Sequence, residues 1–200
     1  MKYFWLCLIL FSVSCKKTDG RISGSNPIER RLSYKELLTA ISKKERNQKS
    51  SYFFRFINND VSRYWSGTPW SFAGTSREPR QGSIACGYFV TNTLSDYGFG
   101  INRTFLAQQA SSVMIKKLCT DIRYFTKRQD LETYILGKKK NQVYIVGLDF
   151  HTGYITRENK DTYFIHSNYI RNEGVMKELT GNSKALNASK TFMIGTLNYR

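Results

Sequence analysis

Cys86 stands where a nucleophilic thiol would be activated. Gly and Pro occur five times between residues 67 and 82, so the stretch before Cys86 is predicted to be a loop. From Ala85 the apolar residues recur every three to four positions up to Tyr97, which predicts an amphipathic helix that ends before Gly98. Cys86 would then lie in the first helical turn, where unpaired N–H groups and the helix dipole favour a thiolate. Cys86 is therefore a candidate nucleophile.

The chain holds two histidines, His151 and His166, which are the candidate bases for this cysteine. Both lie in alternating stretches rich in β-branched and aromatic residues, which predict strands, and the polar segment 157–161 between them predicts a hairpin. A cysteine at a helix start with two histidines on adjacent strands matches the nucleophile, base and orienting group of cysteine hydrolases. Cysteine and histidine also bind metals, but neither C-x-x-C nor H-E-x-x-H is present, so no metal or cofactor is expected.

Four segments resemble the motifs of the NlpC/P60 family of papain-like cysteine peptidases, which cut peptides of bacterial cell walls. They are residues 67–76 around Trp70, 85–90 around Cys86, 151–155 at His151 and 165–167 at His166, in the family's order. The resemblance covers about residues 64–170. It implies a papain-like NlpC/P60 fold of the α+β class, with the nucleophile helix packed on an antiparallel β-sheet.

The resemblance also implies the catalytic roles. Cys86 would attack an amide carbonyl and form a thioester that water hydrolyses, and its backbone N–H would stabilise the oxyanion. His151 would be the base, and His166 would hydrogen-bond its far ring nitrogen and so set its tautomer and orientation.

Three departures from the family pattern surround these residues. Trp70 replaces a tyrosine, Ala85 replaces the aspartate before the nucleophile, and Gly87 and Tyr88 replace Ser and Gly. The catalytic residue types are retained while their neighbours differ, so the resemblance implies the reaction class more firmly than the substrate.

The candidate substrate-binding residues follow from these departures. An indole offers a donor and no acceptor, so we expect Trp70 to wall the cleft, while Ser83 or Tyr88 would supply the missing hydroxyl. Asp149 precedes His151 by two positions on the predicted strand, so it could aid the base or bind substrate. The simpler interpretation of Asp149, a turn-capping carboxylate, is the one favoured.

Further along the chain, periodicity predicts a helix over 103–119 capped by Asn102 and another over 130–136. Alternating stretches predict strands at 143–150, 153–157, 162–168 and 191–199. The segment 171–189 is predicted to be a mobile loop with one helical turn. Helices followed by antiparallel strands indicate an α+β domain.

Residues 1–15 predict a signal peptide of the bacterial lipoprotein type. The apolar run 3–13 is too short to span a bilayer, and small residues precede Cys15, which would carry the lipid. Plain secretion and a short uncleaved anchor are the alternatives. Residues 16–32 are predicted to be a polar tether, and 33–200 the catalytic domain, whose first helix would start at the capping box 33–36.

Charge and cysteine content limit the function further. The net charge of +16 favours an anionic partner, and the signal argues for the cell envelope rather than for nucleic acid. A basic cleft would attract carboxylate-bearing cell-wall peptides, although a solvated basic surface beside an acidic membrane is an equal alternative. Cys86 and Cys119 could form a disulfide in an oxidising compartment, but Cys119 is expected to be a buried free thiol.

The sequence therefore predicts a monomeric cysteine peptidase of the cell envelope, held at the membrane only by its lipid anchor, or secreted. It would hydrolyse amide bonds of peptidoglycan stem peptides through Cys86, His151 and His166. Two alternatives stay open. One is a hydrolase of another amide or an ester, or an acyltransferase, with the same residues. The other is an inactive envelope protein that only binds.

Overall fold

The computed structural model of the protein describes residues 32–44 and 51–198. The predicted signal peptide, the lipidation residue Cys15 and residues 16–31 of the predicted tether lie outside these ranges. Within the described ranges, no helix combines the length and apolar character that crossing a bilayer requires.

Helices dominate the first half of the described chain and strands the second. The helices are α1 (Tyr34–Lys44), α2 (Ser51–Arg55), α3 (Ser62–Trp65), α4 (Cys86–Tyr97), α5 (Arg103–Ala107), α6 (Ser111–Leu118), α7 (Arg128–Leu136) and α8 (Lys184–Ala188), with a π-helical turn at Phe56–Val61. The strands are β1 (Cys119–Phe125), β2 (Val143–Gly147), β3 (Thr152–Glu158), β4 (Asp161–Asn168), β5 (Gly174–Leu179) and β6 (Phe192–Leu197).

The six strands form one sheet in the order β1-β6-β2-β3-β4-β5, and each neighbouring pair is antiparallel. Helix α4 packs against β3 and β4. Its inward side chains Phe89, Val90 and Leu94 are fully buried. The hydroxyl of Tyr154 on β3 donates to the carbonyl oxygen of Val90 at 2.8 Å and so joins the helix to the sheet. The predicted α+β class is confirmed, as is the packing of the Cys86 helix on an antiparallel sheet.

Local sequence signals set the start of α1 and the end of α4. At the start of α1, the Ser33 N–H donates to Glu36 Oε2 at 2.8 Å and the Glu36 N–H donates to Ser33 Oγ at 3.3 Å, which is the predicted capping box. Helix α4 ends at Gly98, whose φ of 108° is a left-handed conformation that glycine adopts without steric cost. Both boundaries are predictable because they depend on residues close in sequence.

Three predicted elements are wrong. The helix expected over 103–119 is two short helices, α5 and α6, and Cys119 instead begins β1, whose pairing with β6 overrides the helical periodicity. Strand β2 ends at Gly147, so Asp149 and His151 lie in the turn before β3 rather than on one strand face. The segment 171–189, predicted to be a loop, contains β5 and α8 because residues 174–179 pair with β4.

Candidate active site

Cys86 is the first residue of α4, and hydrogen bonds from distant residues hold the chain before it. The Ala85 N–H donates to the carbonyl oxygen of Gly74 at 2.9 Å. The Ser167 hydroxyl on β4 donates to the carbonyl oxygen of Ile84 at 2.6 Å. A Cβ atom at Gly74 would lie 2.6 Å from the Ile84 nitrogen, so only glycine fits this crossing. The position of Cys86 thus depends on the glycine-containing loop and on strand β4.

Cys86 and His151 line one cleft, whose volume is about 710 Å³. This volume lies within the range of roughly 300–1,000 Å³ that is typical of small-ligand sites. One wall comes from α5 and the start of α6, and the other from β1, α7 and β6. The remaining lining residues include Gln109, Ser111, Ser112, Tyr124, Phe125, Asp130, Leu148, Asp149, Phe150, Thr152, Thr191 and Phe192.

The two histidines form a buried hydrogen-bonded pair. His151 Nε2 lies 2.7 Å from His166 Nδ1, and the two side chains are 96% and fully buried. His166 Nε2 lies 3.0 Å from Oε1 of Glu178 on β5. His151 Nδ1 is buried and has no hydrogen-bond partner among the described residues. The structure thus brings the predicted His151 and His166 together and adds Glu178 behind them.

Burial decides the protonation states of the site. It raises the pKa of the Cys86 thiol above its ordinary value, although nearby backbone N–H groups of Thr152 and Gly87 oppose this. Burial also lowers the pKa of His151 well below its usual range, and the neighbouring His166 lowers it further. The resting pair is therefore a neutral thiol and a neutral imidazole. Burial therefore disfavours the thiolate that was expected from the helix start.

His166 and Glu178 shift each other's pKa in opposite directions. Burial lowers the pKa of His166, and the hydrogen bond and charge of Glu178 raise it, with a net decrease. Burial alone would raise the pKa of Glu178, but hydrogen bonds from His166 and Ser183 leave it below its ordinary value. Glu178 is therefore ionised and His166 neutral at physiological pH.

Aromatic rings surround the two histidines. The ring centroid of Tyr169 lies 5.1 Å from that of His151 and 6.3 Å from that of Trp70. The Tyr169 ring therefore contacts both residues and links Trp70 to His151. Trp70 is not among the residues that line the cleft. His166 stacks on Phe164 at 4.0 Å between ring centroids. The aromatic packing holds both imidazole planes in place.

Ser83 and Tyr88, like Trp70, do not line the cleft. The Tyr88 hydroxyl accepts a hydrogen bond from Gln108 Nε2 at 3.2 Å, and the Arg103 guanidinium lies 4.8 Å from the centre of its ring. Ser83 accepts a backbone hydrogen bond from the Ser76 N–H at 3.0 Å. The substrate-binding roles of Ser83 and Tyr88 stay predictions.

Asp149 lines the cleft, but its carboxylate is engaged in a turn. Its oxygens accept hydrogen bonds from the N–H groups of Lys190 and Thr191 at 2.8 and 3.1 Å, and from the Thr191 hydroxyl. These bonds lower the pKa of Asp149. The carboxylate is therefore engaged with the residues that precede β6, and a role for Asp149 in aiding the base or binding substrate stays a prediction.

One residue of the site, Glu178, escaped the sequence patterns. Glu178 lies in the segment predicted to be a loop, which also contains Glu173, so its residue type and position give no signal there. Gly153 was matched as part of the motif, and the structure gives a steric reason for a glycine at this position. A Cβ atom there would lie 2.8 Å from the His166 Cβ and 2.7 Å from a Phe164 ring carbon. Gly153 therefore allows β3 and β4 to pair closely enough for the rings of His151 and His166 to be in contact.

The charge of the cleft differs from that of the whole chain. Among the described residues that line it, only Asp130 and Asp149 carry a charged side chain, and no lysine or arginine is present. The basic cleft expected from the net charge is therefore wrong, and the positive charge lies elsewhere on the protein. Within the described ranges, no group of three or more His, Cys, Asp or Glu side chains is arranged to hold a metal ion.

Cys86 and Cys119 are both free cysteines, which removes the disulfide alternative. Comparison of the chain with protein-family models and with curated proteins gives no match. The resemblance to NlpC/P60 peptidases therefore stays a prediction that depends on the four sequence segments.

Proposed function

We propose that the protein is a cysteine hydrolase of amide bonds with a papain-like arrangement, in which Cys86 is the nucleophile, His151 the base and His166 the group that orients it. One observation carries the proposal. A free cysteine at a helix start shares a cleft with a buried histidine whose Nδ1 is unpartnered among the described residues and whose Nε2 is held by a second histidine. Nucleophile, base and orienting group are the elements that covalent acyl transfer requires.

The neutral resting pair determines how the reaction begins. As Sγ of Cys86 attacks the substrate carbonyl carbon, its proton passes to Nδ1 of His151, because neither partner is charged beforehand. The resulting imidazolium donates this proton to the leaving amine as the C–N bond breaks and a thioester forms. Water then attacks the thioester with His151 again accepting a proton, and the released thiolate is reprotonated.

The start of α4 supports the charged intermediate. The first N–H groups of a helix lack intrahelical acceptors and carry the positive end of the dipole. Backbone N–H groups of Cys86, Gly87 and Thr152 lie close enough to the thiol to lower its pKa. These donors would stabilise negative charge on sulfur and on the adjacent carbonyl oxygen, where hydrogen bonds contribute most to such reactions.

The substrate proposed is a peptidoglycan stem peptide, and the protein would act in the cell envelope as a lipid-anchored or secreted monomer. The four NlpC/P60-like segments and the predicted lipoprotein signal support this choice. The size of the cleft, about 710 Å³, suits a short peptide segment.

Two alternatives differ from this proposal in observable ways. The aromatic rings of Tyr124 and Phe150 line the cleft and are 66% and 96% exposed, which favours an apolar acyl group and hence an ester hydrolase or acyltransferase. An inactive binding protein would have an occluded or disulfide-bonded cysteine. Cys86 instead is free and lines an open cleft, which supports an enzyme.

The test uses the full chain, purified in detergent and incubated with muropeptides that are followed by mass spectrometry. Cys86→Ala and His151→Ala should each reduce the hydrolysis rate by roughly 10³-fold or more, as for other nucleophile and base residues. Cys119→Ala is the matched control, because this cysteine is also free but does not line the cleft, and it should retain activity. Hydrolysis that persists in Cys86→Ala would refute the proposal. Turnover of aryl esters without any cleavage of muropeptides would favour the acyl alternative.

A further inference from the structure

Glu178 is the carboxylate that ends the chain of hydrogen bonds behind Cys86. It lies on β5 opposite Phe164 of β4, so its side chain is a diagonal neighbour of His166 on the same sheet face. Its side chain is only 16% exposed, and Oε1 lies 3.0 Å from His166 Nε2. Ser183, which is fully buried, also lowers the pKa of this carboxyl.

With Glu178 ionised and both imidazoles neutral, the donors and acceptors in this series of hydrogen bonds can be assigned in only one way. An ionised carboxylate can only accept, so the proton between Glu178 and His166 belongs to His166 Nε2. A neutral imidazole carries one ring proton, so His166 Nδ1 is an acceptor. The 2.7 Å contact then requires that His151 Nε2 donates, which leaves His151 Nδ1 without a proton.

We propose that Glu178 is a positioning residue that sets the tautomer of His151 through His166, and so leaves Nδ1 of His151 free to accept the thiol proton. This inference depends on the proposed function for its purpose, but the tautomers themselves exist whether or not the protein is a hydrolase. The unpartnered Nδ1 atom is the atom that the assignment leaves without a proton.

The same arrangement serves both protonation states of the base. When His151 gains a proton at Nδ1, its Nε2–H still donates to His166, and the His166 Nε2–H still donates to Glu178. No other proton has to move during the reaction. The opposite tautomers would place a proton on His151 Nδ1 and remove the base, as occurs in a serine protease when the triad aspartate is replaced by asparagine.

The sequence allows a direct measurement, because the chain contains only two histidines and hence four imidazole nitrogens. The ¹⁵N-labelled full chain, purified without a polyhistidine tag, would carry Cys86→Ala so that His151 stays neutral. Long-range ¹H–¹⁵N spectra distinguish protonated from unprotonated ring nitrogens. With Glu178 present, we expect both histidines to be protonated at Nε2 only. With Glu178→Leu, which removes the acceptor and retains similar volume, we expect His151 protonated at Nδ1 to appear.

Glu173→Gln is the matched control, because Glu173 raises the pKa of His166 by its charge yet accepts its hydrogen bond from Asn168. It should leave both tautomers unchanged. In the chain that retains Cys86, Glu178→Leu should slow alkylation of the thiol by about tenfold to a hundredfold, the range found for partners behind metal-binding histidines. Glu173→Gln should change it less than about twofold. Glu178→Ala is the second variant if Glu178→Leu does not fold, which amide spectra would reveal.

Two results would overturn the inference. One is a proton on His151 Nδ1 while Glu178 is present, and the other is identical tautomers with and without the carboxylate. If the tautomers are as expected but the protein cleaves no amide or ester, the inference stands and the proposed function is refuted.

Discussion

The hydrogen bond from Ser167 to the loop before Cys86 can be removed by Ser167→Ala. The Ser167 hydroxyl donates to the Ile84 carbonyl oxygen at 2.6 Å, and both residues are fully buried. Ser167 follows His166 on β4, and Ile84 lies two residues before Cys86. This bond therefore joins the strand that carries His166 to the segment that leads into Cys86.

The expected loss of unfolding free energy follows from the Ile84 carbonyl group, which would lose its hydrogen-bond donor. Alanine retains the backbone and removes only the hydroxyl, so the cost is that of a buried acceptor left unsatisfied, about 1–3 kcal/mol of unfolding free energy. In a domain of this size each kcal/mol corresponds to about 2–4 °C in the unfolding midpoint, so Tm should fall by about 2–12 °C. The denaturant m-value should not change, because the variant exposes nearly the same additional surface on unfolding as the wild type does.

The assay is urea unfolding of the full chain, with alkylation of Cys86 as the functional readout. Ser66→Ala is the control, because Ser66 is exposed, and it should change the unfolding free energy by less than about 0.5 kcal/mol. Ser167→Ala should also slow the alkylation of Cys86. A loss of stability no larger than that of Ser66→Ala would refute the reasoning, since it would mean that the Ile84 carbonyl does not depend on Ser167.

Three further predictions concern charge. Asp96→Asn should stabilise the fold above pH 6 by up to about 3 kcal/mol, because burial raises the pKa of that carboxyl to about 6, and the gain should vanish below pH 4. In that background, urea unfolding should show stability falling with acidification below about pH 6.5, by at most about 1.4 kcal/mol per pH unit for each of His151 and His166. Asp130→Asn should raise the iodoacetate-to-iodoacetamide rate ratio at Cys86 about twofold.

The signs of the two pH effects are opposite and can be separated. The raised pKa of Asp96 makes the folded state bind more protons than the unfolded state, so its contribution to stability is lost as pH rises through about 6. The lowered pKa values of the histidines make the unfolded state bind more protons, so stability is lost as pH falls. A wild-type-like pH dependence in Asp96→Asn would contradict the first effect. A fold equally stable at pH 5 and 7 in that background would contradict the second.

Local signals predicted much of the fold. The capping box at Ser33, the helix from Cys86 to Tyr97 with its glycine end, and the hairpin of β3 and β4 are all confirmed. Each depends on residues within a few positions of one another. The elements that were wrong, β1 and β5, have weak local patterns and owe their conformation to pairing with β6 and β4. Strand β6 lies far from β1 in sequence, whereas β4 directly precedes β5.

Some candidate residues of the site could likewise be predicted from local sequence, and others could not. Cys86, His151 and His166 could be found because residue type, a helix start and strand patterns single them out, and the structure brings the two histidines into contact and places Cys86 and His151 in one cleft. Trp70 was chosen because it replaces a tyrosine of the family motif, and Ser83 and Tyr88 because they flank Cys86 in sequence. None of the three lines the cleft. Nearness in sequence does not fix the direction of a loop side chain, which is decided by packing.

The sequence by itself determined the α+β class, the helix that begins at Cys86 and the order of Cys86 and the two histidines along the chain, because these depend on composition, periodicity and local signals. Tertiary structure alone decided the partner of His166, the charge of the cleft and the resting protonation of the thiol. Glu178 reaches His166 only through the β4–β5 pairing, and Asp130 faces the cleft only because α7 packs beside β1. The thiol is neutral because desolvation is a property of everything packed around Cys86, which no single stretch of sequence encodes.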